Sequence, residues 1–485
     1  MEIDELLRDG RDLPTVRIKQ VTMSDFKSVE HGDIVFNCAK TFIPYGTESD
    51  ILGLYGQNGS GKTALIEALS ILRSLMCGDR VGDEYVDCVS VTTGVSTLKF
   101  YFDFQYADGE VREVIYSFDL KRAEMTPEDI SVRKKMFPDN YLDYIDPQYK
   151  LCICNEVLQL SWKDEEGNQK KTQTIIDTST ENMPFGPTPK RRMFVTGKKD
   201  LLALEILKSK AYDQSQSFIF KTDTLAIFKD AGAYQIFYDV LTDLSYFANF
   251  FFFVIDTKST GFIRMNLLLP VYTRARPFLF NARKADKMPM RIYLQAKKQI
   301  EGISEVLCQL VPGLTIELVK SGEEAMNGGE MGAVVSLVAH RDGIELPLRD
   351  ESDGVRKIIS VLSLIAFAFS CQSATVAIDE FDAGIYEYLL GEILEIFEQS
   401  GKGQFIFTSH NLRPLEVLSK KFIYFTTTNP KNRYIRLKGV GNSNNLRDVY
   451  FREIHVNEQD ERIYNNTKRH KIISAFIKAG SIDEE

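Results

Sequence analysis

Residues Gly56-Gln57-Asn58-Gly59-Ser60-Gly61-Lys62-Thr63 satisfy the pattern G-x-x-x-x-G-K-[ST] in full. No other stretch constrains the fold as much. The glycines let backbone N–H groups turn inward around phosphate oxygens, Lys62 can reach the β- and γ-phosphates, and the Thr63 hydroxyl can sit on Mg²⁺. Residues 51–55 before the loop form a short apolar run, read as a buried strand. Residues 64–76 after it place Leu65, Ala68, Leu69, Leu72 and Met76 on one helical face. Strand, glycine loop and helix N-terminus make an anion site, because the free N–H groups and the dipole of the helix point at the ligand. Gly56, Asn58, Gly59, Ser60, Gly61, Lys62 and Thr63 are therefore the candidate nucleotide-binding residues, with ATP as ligand and Mg²⁺ as its metal.

Three further segments bear on the same chemistry. The apolar run Ala374-Thr375-Val376-Ala377-Ile378 ends in Asp379-Glu380. Two adjacent carboxylates at the end of a buried strand are costly without a cation nearby. Asp379 is accordingly the candidate metal residue beside Thr63, and Glu380 the candidate for polarising an attacking water. A second buried run, Phe405-Ile406-Phe407-Thr408-Ser409, ends in His410. It belongs to the next strand–helix unit, which brings His410 beside the γ-phosphate as a second catalytic candidate. Upstream, Ser352-Asp353-Gly354 precedes an apolar helix over 358–370. Ser352 can cap that helix, whose N-terminus is again an anion site.

Taken in order, these segments resemble the Walker A, signature, Walker B and histidine-switch motifs of the ABC/SMC/RecF class of ATPases. Residues 16–26 leading into Lys27-Ser28, then Gly32-Asp33-Ile34-Val35-Phe36, are similar to the opening strands of those heads. Asp379-Glu380-Phe381-Asp382-Ala383-Gly384-Ile385 resembles the corresponding turn of the OLD-like ATPases of bacterial anti-phage and abortive-infection systems, such as the ATPase components of the PARIS and Septu systems. Tyr386 stands where those proteins often carry histidine, and Asp353 replaces a residue of the transporter signature. The resemblance implies that Ser352 and Gly354 contact the γ-phosphate of ATP held by an opposite protomer. It also implies a head-to-head dimer or a higher homo-oligomer.

The expected fold class is α/β, an ABC-type P-loop ATPase head with a mixed sheet and an antiparallel β lobe, interrupted by a partly helical insertion. The expected division is 1–177 for the N-terminal half of the head, 178–255 for a loop and helical insertion, 256–450 for the C-terminal half and 451–485 for a tail. Residues 98–104 and 111–120 flank Ala107-Asp108-Gly109-Glu110 as a hairpin. Residues 151–162 and 171–176 repeat that arrangement across Glu166-Gly167-Asn168. Residues 178–198, with Pro184, Pro187 and Pro189, read as a surface loop. Residues 201–211, 223–247 and 288–310 read as helices, 246–255 as a buried strand, and 469–478 as an amphipathic helix of the tail. No heptads sustain a long coiled coil.

A net charge of −9 argues against a surface that coats DNA generally. Lys190-Arg191-Arg192 with Lys198-Lys199, and Arg274, Arg276, Arg283, Lys284 and Lys287, are the basic clusters. Each reads as solvated charge or as a phosphate-backbone contact, so a nucleic-acid partner stays open. Cys152-Ile153-Cys154 lacks a second pair at zinc spacing, and reduced thiols fit a cytoplasmic protein. No apolar run reaches the roughly eighteen residues of a spanning helix, so no membrane partner is expected. Beyond His410 there is no recognisable acidic nuclease array. The leading expectation is an ATP-driven switch or scaffold that senses a trigger such as phage infection and controls a separately encoded effector, for example a nuclease. The alternatives are a RecF/SMC-like DNA-repair ATPase and the nucleotide-binding subunit of an ABC transporter.

Overall fold

The structure, a computed structural model, describes residues 13–37, 49–127, 129–131, 149–162, 171–180, 183–256, 258, 268–271, 278–281, 284–326, 331–341, 343–439, 445–456, 458–465 and 467–480. The chain opens with a hairpin of β1 (Thr15–Phe26) and β2 (Val29–Val35). β3 (Asp50–Tyr55) leads through the glycine loop into α1 (Lys62–Met76). β4 (Val95–Gln105), β5 (Val111–Glu124), β6 (Tyr149–Ser161) and β7 (Gln173–Asp177) follow as an antiparallel run. Helices α2 (Lys198–Asp213), α3 (Thr222–Asp230) and α4 (Gln235–Phe250) lead to β8 (Phe252–Ile255). Next come β9 (Leu268–Val271), β10 (Phe278–Asn281), β11 (Asp286–Pro289), α5 (Met290–Leu310), β12 (Leu314–Ala325), β13 (Met331–Arg341) and β14 (Ile344–Pro347). The remainder is α6 (Asp353–Ser370), β15 (Thr375–Ile378), α7 (Glu387–Ser400), β16 (Gln404–Thr408), β17 (Ile423–Thr426), β18 (Tyr434–Ile435), α8 (Leu446–Val456) and α9 (Arg469–Gly480).

The central sheet has the order β18-β17-β3-β16-β15-β8, parallel except for β18. Every residue of β3, β15 and β16 is buried, as a parallel sheet covered on both faces requires. Alternation then assigns neighbouring residues to opposite cores. Leu52, Leu54 and Ile406 join the core shared with α1 and the antiparallel lobe. Ile51, Tyr55, Phe405 and Phe407 join the core shared with α5, α6 and α7.

The lobe is the six-stranded antiparallel sheet β2-β1-β4-β5-β6-β7. β4 alternates buried and half-buried residues along its length, so one face packs on the core. Its junction with the central sheet is polar. Arg17 of β1, 1% exposed, donates to the carbonyl of Ala374 at 3.1 Å and to that of Lys402. Gln404 at the start of β16 donates to the Ile18 carbonyl at 2.9 Å and to Asp50 at 2.8 Å. These bonds fix the lobe against the strand ends opposite the glycine loop.

Several expectations need correction. Residues 246–255 are not one strand: 246–250 finish α4, and only Phe252–Ile255 is strand. The run is apolar apart from Asn249, which suits the end of a buried helix and a buried edge strand equally. β8 pairs with β15 in the central sheet, and α4 packs on α1 and β8, so the boundary at 255 cuts into the head itself. Residues 178–198 are not a plain surface loop, because Phe185 and Phe194 are buried and in ring contact with Phe228, the first edge-on and the second tilted. The boundary at 450/451 divides α8, whose Leu446, Val449 and Tyr450 belong to the second core. The antiparallel sheet β11-β13-β12 with β14, packed on α5, had not been read from the sequence. The turn at 166–168 lies outside the described residues.

Arg17→Leu keeps much of the apolar bulk but removes the guanidinium from the buried Ala374 carbonyl, which still accepts the Gln404 N–H at 2.8 Å, and from the part-buried Lys402 carbonyl. It is expected to lower stability by about 2–4 kcal/mol, read as a shift in the urea midpoint at unchanged slope. A shift below about 0.5 kcal/mol would show that the junction does not depend on this residue.

Candidate functional site

The site lies at the C-terminal edge of the central sheet, where β3, β15 and β16 end together. A cavity of about 400 Å³ is lined by Asn58, Gly59, Gly61, Lys62 and Thr63 of the loop, Asp379 and Glu380 after β15, and Thr408 and His410 after β16. Lys27, Ser28, Glu67 and Lys258 complete it. Five separate segments of sequence thus reach one space.

The glycine loop is closely fitted. A Cβ on Gly56 would stand 1.7 Å from the Thr426 hydroxyl, so the backbone can take this course only without a side chain. Gly61, at φ 94°, sets the entry into α1. Ser60 hydrogen-bonds Thr426 of β17, and the Tyr434 hydroxyl donates to the Gly61 carbonyl at 2.7 Å. Lys62 folds back to donate to the carbonyls of Gly56 (2.8 Å) and Gln57 (3.2 Å). Burial lowers its pKa, against the pull of Asp379, Glu380 and Asp382.

Asp379 is 4% exposed. Burial pushes its carboxyl up, while hydrogen bonds from the Thr408 and Thr63 hydroxyls favour the charged form. Thr408 donates to one oxygen at 2.5 Å. The other oxygen, Oδ2, is buried without a hydrogen-bond partner. An orphaned carboxylate oxygen next to the loop threonine suits a hard divalent cation, so the residues present fit Mg²⁺.

Glu380 takes φ 46°, left-handed backbone that costs a non-glycine residue about 1–3 kcal/mol. Both of its peptide groups are held there. Its N–H donates to the Thr408 hydroxyl (2.9 Å), and its carbonyl accepts from Lys357 of α6 (2.9 Å). The side chain thereby turns into the cavity. Asp382, two residues on, accepts the N–H groups of His410 (3.1 Å) and Asn411 (2.9 Å), which places His410 at the rim.

Ser352 and Gly354 are not among the residues lining this cavity. Ser352 is exposed and caps α6, accepting the Val355 N–H at 3.3 Å. Gly354 packs closely on the next turn: a Cβ there would lie 3.3 Å from the Gly384 carbonyl. Among the described residues no group of His, Cys, Asp and Glu could hold a metal ion by itself, Cys152 and Cys154 included.

Sequence reasoning missed several residues. Glu67, fully buried one helical turn after Thr63, binds Lys27 at 2.5 Å and Lys258 at 3.4 Å. Its i+4 spacing from Thr63 was the available signal. Lys357 lies one turn into α6 with the same kind of signal, whereas nothing marked Lys258. Part of the first basic cluster is committed within the protein, while Arg192, Lys198 and Lys199 are exposed. Arg191 is buried and donates to the Phe185 carbonyl at 3.0 Å, and Lys190 lies over the Trp162 and Phe237 rings. Lys287 pairs with Glu324, while Arg274, Arg276 and Arg283 lie outside the described residues.

A glycine loop after β3, the acid pair after β15 and the histidine after β16, beside an antiparallel lobe, define the fold as that of an ABC-type P-loop head. A family model described as "AAA domain, putative AbiEii toxin, Type IV TA system" matches residues 239–416, which hold Ser352, Asp379, Glu380 and His410 but not the glycine loop. The SMC head domain of Pyrococcus furiosus bound to the C-terminal domain of ScpA is 13% identical, with 87% of this chain and 96% of that chain covered and a TM-score of 0.39. The SMC head domain of Thermotoga maritima is 12% identical, with coverages of 87% and 99% and a TM-score of 0.36. RecF with ATP is 11% identical, with coverages of 81% and 93% and a TM-score of 0.32. Likenesses this weak transfer no activity. The search of curated proteins gave no match. No helix among the described residues is long and apolar enough to cross a membrane.

Lys357 is 1% exposed, and burial lowers its pKa to about 8 against the attraction of Asp382, Glu380 and Asp379. Between pH 8 and the ordinary lysine value of 10.5 the unfolded chain holds a proton that the folded chain has released, so stability contributed by this site should rise with pH across that window. Relative to Lys357→Met, the urea midpoint of the natural chain should climb from pH 8 to pH 10. A constant difference between the two proteins would contradict this account of the group.

Proposed function

We propose that the chain binds Mg²⁺-ATP at this cavity, hydrolyses it slowly, and uses the cycle as a switch that controls a separate effector. The observation that carries the reading is the convergence of Lys62, Thr63, Asp379, Glu380 and His410 on one cavity, with the Ser352 helix terminus facing solvent elsewhere. Lys62 and the loop N–H groups hold the phosphates, and Asp379 and Thr63 hold the metal. The bound metal would neutralise charge on the phosphate oxygens. Glu380 polarises the attacking water, and His410 lies at the rim where it can contact that water or the γ-phosphate.

Ser352 and Gly354 have no role in their own cavity. They complete the site of a second copy, so a symmetric pair holds two sites. ATP then favours the paired state because those contacts exist only there, and hydrolysis removes them. The effector part of the proposal rests on the likeness of the Asp379-Glu380 turn to OLD-like defence ATPases. It accords with the matched family's description as part of a toxin–antitoxin system. A nuclease is the leading effector class. A DNA-repair role is the competing outcome, and tight DNA binding with DNA-stimulated turnover would establish it.

Glu380→Gln should bind ATP but hydrolyse it at least ~10²-fold more slowly, and Lys62→Ala should weaken binding itself. Unchanged turnover in Glu380→Gln would overturn the assignment. Ser352→Arg and Lys62→Ala, each inactive alone, should recover about one working site per dimer when mixed. No recovery despite proven subunit exchange would count against shared sites. Pull-downs with ATP, ADP and the Glu380→Gln protein should capture a nucleotide-dependent effector, and the isolated chain should cleave neither DNA nor RNA.

A further inference from the structure

α9 stands apart from the body of the protein. All twelve of its residues are exposed, including an apolar stripe of Ile472 (43%), Ile473 (50%), Phe476 (74%) and Ile477 (68%). An isolated helix of that length is marginal in water and needs a surface to pack on. Lys468, Arg469 and Lys471 gather at its N-terminal end, where the helix dipole disfavours cations. They do not serve the helix itself, and they suit an acidic partner.

The same chain carries an open apolar groove of about 570 Å³ between α5, α6 and α7. Val306 and Leu310 line it from α5, Ala366 and Phe369 from α6, and Ile393 and Ile396 from α7. Val306 and Ile396 are about half exposed, at 48% and 55%. Glu305 adjoins Val306 and Glu395 adjoins Ile396, both exposed. Helix and groove are complementary in polarity and charge, yet both stay open among the described residues.

The course of the tail indicates which groove α9 fills. Ile463 is buried in the second core, the Arg462 carbonyl accepts the Thr428 N–H at 2.7 Å, and the Asn465 N–H donates to the Gln57 side chain of the glycine loop at 3.1 Å. α9 therefore leaves the body at the nucleotide face. In the paired state proposed above, that face meets the N-terminus of the partner's α6. The groove begins at Leu362, about 15 Å further along that helix, and α9 is about 18 Å long.

We infer that α9 docks into the α5–α6–α7 groove of a second copy of this chain, strapping the ATP-bound pair together. The inference rests on the composite-site reading of the preceding subsection. The Ile472/Ile473/Phe476/Ile477 stripe fills the groove, and the basic end of the helix lies toward Glu305 and Glu395. Because the strap starts at Gln57, its docking is tied to the loop that holds the phosphates.

The test uses full-length chains in a Cys308→Ser, Cys371→Ser background, which removes the thiols nearest the groove. One tagged chain carries Ile473→Cys, and a second, differently tagged chain carries Ala366→Cys. Both also carry Glu380→Gln. With ATP and mild oxidation, a disulfide joining the two tags is expected. Cross-linking only within a chain that carries both cysteines would show α9 on its own groove and overturn the inference. An ATP-driven dimer seen by sedimentation without any cross-link would overturn it while leaving the composite site intact. A cross-link equally strong without nucleotide would support the docking and contradict nucleotide control of pairing. Phe476→Asp on the exposed helix should leave the fold intact and raise the dimer dissociation constant at least ~10-fold, and an unchanged constant would overturn the strap.

Discussion

Asp379 is a buried carboxylate with one oxygen left unsatisfied, and much of the head is arranged around it. An unpaired charge in a dry interior is costly unless a cation or donors answer it. The parallel sheet supplies the answer through register. β15 lies between β16 and β8, and β3 lies beyond β16, so Thr408 and the glycine loop end level with Asp379. Thr408 satisfies one oxygen and also holds the strained Glu380 peptide. One hydroxyl thus serves the Asp379 carboxylate and the Glu380 peptide together, and the remaining oxygen is buried without a partner.

The turn after β15 also ties three parts of the head to that point. Its Glu380 carbonyl holds Lys357 of α6, its Asp382 carboxylate holds the His410 backbone, and its Gly384 touches Gly354. Ser352, one turn before Lys357, is therefore connected to the acid pair through a single helix and a single buried ammonium. A change at the acid pair reaches the cap of α6 without crossing the protein. This is a physically contiguous link of the kind that coupling between two sites requires.

The glycine loop, the acid pair and the histidine were legible because each is a local pattern: a run of glycines, or an apolar strand with a polar end. The antiparallel lobe was legible from alternation in 98–104 and 111–120. Residues 246–255 misled because a run dominated by Phe, with Tyr246, Val254 and Ile255, blurs the difference between a period of two and one of 3.6. Phe185 and Phe194 sat among prolines that mark a loop, although they supply the rings of a buried cluster. Arg191 read as solvent charge because its partner is a carbonyl, which leaves no trace in composition. Glu67 and Lys357 are marked in the sequence only by a helical spacing from a neighbouring motif, and Lys258 matters through tertiary contacts alone, which no local pattern records.

Charge balance gives a reason for the site to be completed by another copy. Lys27, Lys62 and Lys258 line the cavity with Glu67, Asp379 and Glu380, three cations against three carboxylates. Two of the lysines are committed to Glu67, and Lys62 is bonded to loop carbonyls. A nucleotide with its metal brings net negative charge into a cavity that is already neutral. The backbone N–H groups of α1 answer part of it. A second helix N-terminus with a serine at its cap would answer more, and α6 presents one at Ser352, exposed and aimed away from its own cavity. Under the pairing proposed above, two copies would set positive helix ends against phosphates that a single chain leaves partly uncompensated, and the bound nucleotide would supply attraction between them.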